Sequence, residues 1–138
     1  LKIKIIDFGY DNLPFRAHAN DAGADVFIPN KCTKMIIHPN EVKTIPLGFG
    51  LELPDGYAGF IFPRTGWSLK GITCELPPID SGYKGEINAI VTNGSSSLIL
   101  LEPGQRIGQL VILPIVIADF ITEDIQERGT NAFGSTGK

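Results

Sequence analysis

Five short stretches of the chain carry residues able to do chemistry, and the densest of them is the last: Arg128-Gly129-Thr130-Asn131-Ala132-Phe133-Gly134-Ser135-Thr136-Gly137-Lys138. Its glycines let backbone N–H groups approach phosphate oxygens, its hydroxyls add donors, and Arg128 can hold a phosphate through two parallel hydrogen bonds. Phe133 is then available to stack on a base. The stretch comes close to a Walker P-loop, but Ser135 stands where the lysine belongs and no helix follows, so that reading fails. A plain Gly/Ser tail is the other reading of the same composition.

The second stretch, Pro63-Arg64-Thr65-Gly66-Trp67-Ser68, sets a guanidinium, a hydroxyl and backbone amides at a strand-to-helix junction, a place that favours anions. A helix cap beside a surface arginine has the same signature. The third, Pro78-Ile79-Asp80-Ser81-Gly82-Tyr83-Lys84-Gly85-Glu86-Ile87-Asn88, reads as a β-hairpin around a tight turn, with Asp80 either a turn former or a working carboxylate. The fourth, Gly104-Gln105-Arg106-Ile107-Gly108-Gln109-Leu110, is a turn entering an apolar strand, where Gln109 is able to donate to an oxygen. The first in chain order, Ala22-Gly23-Ala24-Asp25-Val26, puts a carboxylate at a strand start.

These stretches need a scaffold, and the rest of the chain predicts an all-β one. Sixteen glycines and ten prolines among 138 residues punctuate the sequence often, and the segments between them are short, β-branched and alternating. Strands are expected at residues 2–6, 24–28, 34–38, 42–46, 50–53, 57–62, 86–92, 97–101 and 107–116. Turn signals separate them at Pro54-Asp55-Gly56, Asn93-Gly94-Ser95 and Glu102-Pro103-Gly104. One short helix is predicted over residues 65–70, ended by Gly71. So many short strands imply a sandwich or a jelly-roll-like, distorted β-barrel. Residues 1–125 are expected to form this single domain, followed over 126–138 by a polar, glycine-rich arm whose composition predicts no fixed shape of its own.

Bulk properties narrow the function classes. A domain of this length buries roughly two-thirds of its unfolded surface without staples. Hydrophobic residues make up 43% and charged residues 20%, a balance expected of a soluble protein, and no apolar run approaches the roughly 18 residues of a membrane span. A net charge of −3 and a pI near 5.3 give no diffuse attraction to nucleic acid polymers. Cys32 and Cys74 lack CxxC spacing and read as reduced thiols in a cytoplasmic protein. The start LKIKIIDFGY is read as a first β-strand rather than a secretory signal. His18 and His38 have no partners at metal spacing and are expected on the surface.

Taken in order, the five stretches resemble the five motifs of the trimeric dUTPase family. AGADV is similar to the first motif, PRTGWS to the second, IDSGYKGEI to the third, GQRIGQL to the fourth and RGTNAFGSTG to the fifth. The resemblance spans nearly the whole chain, from Ala22 to Lys138. It implies a jelly-roll-like subunit in a homotrimer, with three sites at subunit contacts and the arm of one chain closing another chain's site. The implied activity is hydrolysis of dUTP to dUMP and pyrophosphate, which limits uracil in DNA and supplies dUMP for dTMP synthesis.

The resemblance also implies roles. Asp80 is the general base, activating a water that attacks the α-phosphorus. Tyr83 packs under the deoxyribose and leaves no room for a 2′-hydroxyl. Pro78, Ile79, Ile87 and Asn88 line the nucleoside site, where main-chain groups near Asn88 read uracil, and Phe133 covers the base. Arg64, Thr65, Gly66 and Gln109 contact phosphates; Arg128, Gly134, Ser135 and Thr136 belong to the closing arm. Mg²⁺ arrives on the triphosphate with no direct protein ligand, and Asp25 touches it through water or orients the arm.

This sequence departs from the family pattern in places. Thr65 stands where serine is usual, adding a methyl group. Trp67 replaces a small aliphatic side chain and is expected in core or subunit packing. Asn131 and Ala132 replace two glycines. Glu75 falls where some members carry a uracil-contacting Asn; a carboxylate would repel O4, so backbone contacts are expected there. Two rival readings exist on the same fold. A dCTP deaminase needs a glutamate at the position of Ile90, and isoleucine shuttles no protons. A protein-binding module switched by nucleotide through the arm is the other.

Overall fold

The computed structural model describes residues 1–123, so Arg128, Phe133, Gly134, Ser135, Thr136 and the expected arm over 126–138 lie outside the described residues. Ten strands and one helix are formed within it. They are β1 (Lys4–Asp7), β2 (Ala24–Phe27), β3 (Met35–Ile37), β4 (Val42–Pro46), β5 (Phe49–Glu52), β6 (Tyr57–Phe62), α1 (Thr65–Leu69), β7 (Ile72–Cys74), β8 (Asn88–Asn93), β9 (Ile99–Leu101) and β10 (Arg106–Pro114). β4 and β6 have the bounds expected from the sequence. β7 was not expected, because three residues are too few to show a period of two.

All ladders are antiparallel, and they group as β1-β5, β2-β10-β6, β3-β9 and β4-β8-β7. The distorted barrel is thus realised as four small sheets around one core; among the described residues no ladder closes a ring. Every sheet contributes to that core: Leu51 of β5, Val26 of β2, Ile61 of β6, Ile37 of β3, Ile45 of β4 and Val91 of β8 all lie in one buried cluster. Trp67 packs against it from α1, as its size suggests, with the Lys70 ammonium 5.9 Å from the ring centroid. Both cysteines are free thiols. Burial, assisted by the charge of neighbouring Glu75, pushes the Cys74 thiol up to about 11, so it stays protonated and unreactive at neutral pH.

Asn93 is a correction to the turn reading. It ends β8 completely buried rather than turning at the surface. Its Nδ2 donates to the carbonyls of Ile37 (2.9 Å) and Ser97 (2.8 Å), and its Oδ1 accepts from Ser95 N–H (3.0 Å) and Oγ (2.7 Å). One amide thus satisfies the groups that β3 and the following turn bring into the interior. His18 and His38 are exposed, as expected. Among the described residues no helix is long and apolar enough to cross a membrane.

Candidate active site

The stretch around Asp80 does not fold as a hairpin whose arms pair with each other. Its incoming arm bridges β6, with Ile79 N–H donating to the Gly59 carbonyl at 2.7 Å and Gly59 N–H returning to the Ile79 carbonyl at 3.0 Å. The outgoing arm is held by β4 and β5: Ile87 N–H donates to Phe49, and Leu47 N–H donates to Ile87. With both arms bonded outward, a gap is left between them. Asp80 opens the turn across that gap, its carbonyl accepting Tyr83 N–H at 3.0 Å, and Ser81 Oγ anchors the turn on Asp55 at 3.0 Å.

The gap is a cavity of about 240 Å³. Pro78, Ile79, Asp80, Tyr83, Ile87 and Asn88 all line it, so the structure gathers every described nucleoside and catalytic candidate into one place. Glu75, Glu86 and Ile90 line it too. Ile90 puts an aliphatic wall where a deaminase needs a carboxylate.

One edge of the cavity is set by strand alternation. Ile87, just before β8, and Asn93 at its end turn their main-chain groups to the β4 side, whereas the Ile90 carbonyl faces the other way and accepts Glu75 N–H at 2.8 Å. A period of two aims Asn88 N–H and C=O in the same direction as those of Ile90. β7 has ended at Cys74 by then, and the chain leaves through Pro77 and Pro78, which have no N–H with which to prolong the ladder. A donor and an acceptor on Asn88 therefore face the cavity, the complement of a ring edge carrying one acceptor and one donor. The Glu75 N–H is engaged by the Ile90 carbonyl, and its carboxylate accepts the Thr92 hydroxyl at 2.9 Å.

A second concavity, of about 280 Å³, is lined by Asp25, Arg64, Thr65, Gly66 and Gln109. These are the described phosphate candidates together with Asp25. α1 has only five residues, too few aligned peptides for a substantial dipole, so anion affinity here rests on the side chains and local amides rather than on a helix end. Asp25 Oδ1 lies 3.6 Å from Arg64 Nε and its Oδ2 lies 3.2 Å from Arg106 Nη1. Engaging Arg64 through Nε leaves its terminal nitrogens for a bidentate phosphate contact.

Arg106 was not singled out by sequence, because its meeting with Asp25 depends on a long-range register. Residues 106 and 109 would face opposite sides of a regular strand. A bulge between Arg106 and Gly108 shifts β10 by one position against β2, so Gln109 pairs with Asp25 and Arg106 with Phe27. Both side chains then flank Asp25. Gln109 is fixed by donating from Nε2 to the Pro63 carbonyl at 3.0 Å.

Gly23 makes room for this arrangement. A Cβ there would lie 2.2 Å from Gln109 Oε1 and 2.9 Å from its Cβ. Gly23→Ala is therefore expected to drive Gln109 out of the phosphate concavity. KM for dUTP, the substrate that the sequence resemblance implies, should rise about tenfold, about 1.4 kcal/mol of lost phosphate interaction, with a smaller change in kcat; steady-state kinetics on the purified variant checks it.

Asp80 and Arg64 lie toward opposite ends of β6, although the Asp80 cavity reaches along the strand as far as Ile61. Arg64 follows the end of the strand, whereas Ile79 pairs with Gly59 and runs antiparallel to it, carrying Asp80 and Ser81 on toward Asp55 before its start. The five residue steps from Gly59 to Arg64 alone span about 16 Å of extended chain. Among the described residues the two concavities share no lining residue.

Comparison with known proteins bears on the family and the fold. A profile of the dUTPase family covers residues 10–137. The deoxyuridine 5'-triphosphate nucleotidohydrolase of Leifsonia xyli is 40% identical over 132 residues, covering 91% of this chain and 85% of its own. That of Clostridium tetani is 40% identical over 146 residues, covering 100% of this chain and 97% of its own. In fold, the dUTPase of phage phi11 of S. aureus superposes with a TM-score of 0.79 at 21% identity, covering 91% of this chain and 98% of that one. The dUTPase of Staphylococcus bacteriophage 80alpha does so at 0.79 and 23%, covering 90% and 97%.

Fold and relatives define an all-β hydrolase of nucleoside triphosphates. More particularly, the chain belongs to the dUTPase family, and its reaction is the hydrolysis of dUTP.

Proposed function

We propose that hydrolysis is carried out by Asp80 as general base, in sites assembled between copies of the chain. The observation that carries this reading is the placement of Asp80 and Arg64 at opposite ends of β6. A single dUTP needs a base-reading edge and a carboxylate at its nucleoside end and cations at its phosphates. Among the described residues neither Lys nor Arg lines the Asp80 cavity, and those of the Arg64 concavity offer no such edge. A homotrimer that sets the Asp80 cavity of one copy against the Arg64 concavity of the next supplies both halves.

In such a site the Asn88 main chain pairs with uracil N3–H and O4, a pattern that cytosine reverses. Tyr83 lies under the deoxyribose, and the narrow gap beside Ile79 and Ile87 rejects a 5-methyl group. Asp80 takes the proton of the water that attacks the α-phosphorus, and pyrophosphate leaves. Arg64, Thr65, Gly66 and Gln109 hold the phosphates, Asp25 orients Arg64, and residues 126–138 of a further copy bring Arg128, Gly134, Ser135 and Thr136 to the phosphates and Phe133 over the base. The donor set suits Mg²⁺ carried by the substrate: both Asp25 oxygens already face arginines, so the ion keeps phosphate and water oxygens as ligands. When bound, it neutralises phosphate charge and fixes the shape of the triphosphate.

Subunit complementation tests the assembly. A chain lacking residues 126–138 and a full-length Asp80→Asn chain are each expected to be nearly inactive. Denatured together and refolded, they should regain a measurable fraction of wild-type pyrophosphate release, because some mixed trimers unite an intact Asp80 with an intact arm. A mixture no more active than its components would refute shared sites.

A further inference from the structure

The loop that carries Asp80 and Tyr83 has a side chain that none of the roles above uses. Glu86 turns its carboxylate away from the turn and onto the body of the protein: Oε2 accepts Gly48 N–H at 2.9 Å and lies 3.9 Å from Lys31 Nζ. The Lys31 ammonium also donates to the Phe8 carbonyl, and Gly48 accepts Phe8 N–H at 2.8 Å, so the anchor is itself cross-braced. Meanwhile the main chain of the same residue faces the cavity. The Glu86 carbonyl accepts the Tyr83 hydroxyl at 2.6 Å. The ring lies across Gly85 so closely that a Cβ there would be 2.6 Å from the Tyr83 oxygen.

We infer that Glu86 is a positioning residue for sugar selection, its side chain clamped to Gly48 so that its carbonyl latches the Tyr83 ring at the height that admits deoxyribose and excludes ribose. The inference rests on the placement of Tyr83 under the sugar. Two contacts hold the clamp, and their strengths differ. The Lys31 pair is long and its partners are partly exposed, 48% and 28%, so solvent screens most of it. The Gly48 N–H bond to a carboxylate is short and part-buried, and it carries the clamp. A neutral acceptor of the same reach should therefore replace Glu86 well, and a side chain without reach should not.

The experiment compares kcat/KM for dUTP and UTP across variants. Glu86→Ala should narrow the dUTP-over-UTP preference by about tenfold, the scale of a sub-ångström to ångström loss of placement, whereas Glu86→Gln should stay within about threefold of wild type. Lys31→Met should leave the preference unchanged. If Glu86→Ala does not fold, Glu86→Asp, which keeps the charge but is one methylene too short to reach Gly48, carries the test and should narrow the preference as well. Tyr83→Ala serves as the reference. Should Tyr83→Ala relax the preference while Glu86→Ala or Glu86→Asp leaves it intact, the clamp is overturned; should Tyr83→Ala itself change nothing, the sugar placement beneath it falls instead.

Discussion

Asp80→Asn should cut turnover of dUTP by about 10²–10⁴, the usual contribution of a positioned base, with dUTP affinity within a few-fold of wild type. The carboxylate is exposed at a turn, and among the described residues no ion pair engages it, so its removal leaves the fold intact. The turn is closed through the Asp80 carbonyl rather than its side chain, and asparagine supplies that carbonyl equally well. Asparagine remains nearly isosteric but takes no proton from water. Pyrophosphate release gives the rate, and calorimetry with a non-hydrolysable dUTP analogue gives the affinity. Equal rates for the two proteins would remove Asp80 from the mechanism.

The second large effect concerns stability. Asn93→Ala should destabilise the protein by about 3 kcal/mol or more, read as a lower midpoint in denaturant or heat at fixed protein concentration. The substitution strands the Ile37 carbonyl and the Ser95 N–H, takes one of two partners from the Ser97 carbonyl and the Ser95 hydroxyl, which keep each other at 3.1 Å, and leaves a void where the amide stood. Each buried group without a partner costs about 1–3 kcal/mol, so even partial entry of water leaves a net loss. Asp is the informative companion: it keeps the acceptor for Ser95 but offers no donor to the two carbonyls, and should be at least as damaging. A midpoint unchanged in Asn93→Ala would mean that the interior there is wet and adaptable.

What the sequence disclosed, and what it hid, follows from the range of the interactions. β4 and β6, five and six residues long, with β6 bounded by Pro54-Asp55-Gly56 and Pro63, were legible to the residue. The three-residue β7 was not, and the Asp80 stretch looked like a simple hairpin because a chain does not announce that its arms will bond to β6, β4 and β5 instead. Asn93 carried the composition of a surface turn, and only the approach of β3 made it an interior hub. In the site, the chemistry-bearing residues declared themselves by type. Their supports did not: Arg106 reaches Asp25 through a bulge, and Glu86 reaches Gly48 across 38 positions. On paper both are ordinary solvent-facing charges.

Pro77 and Pro78 end the ladder on β8 one residue too early for the sheet, and a pyrimidine occupying that vacancy would behave as a missing strand residue. Discrimination among bases would then be written in peptide groups, which every amino acid has, and drift at the Asn88 side chain would leave the choice of base almost untouched. To acquire a new base, such an enzyme has to rebuild the edge of a sheet rather than exchange a side chain.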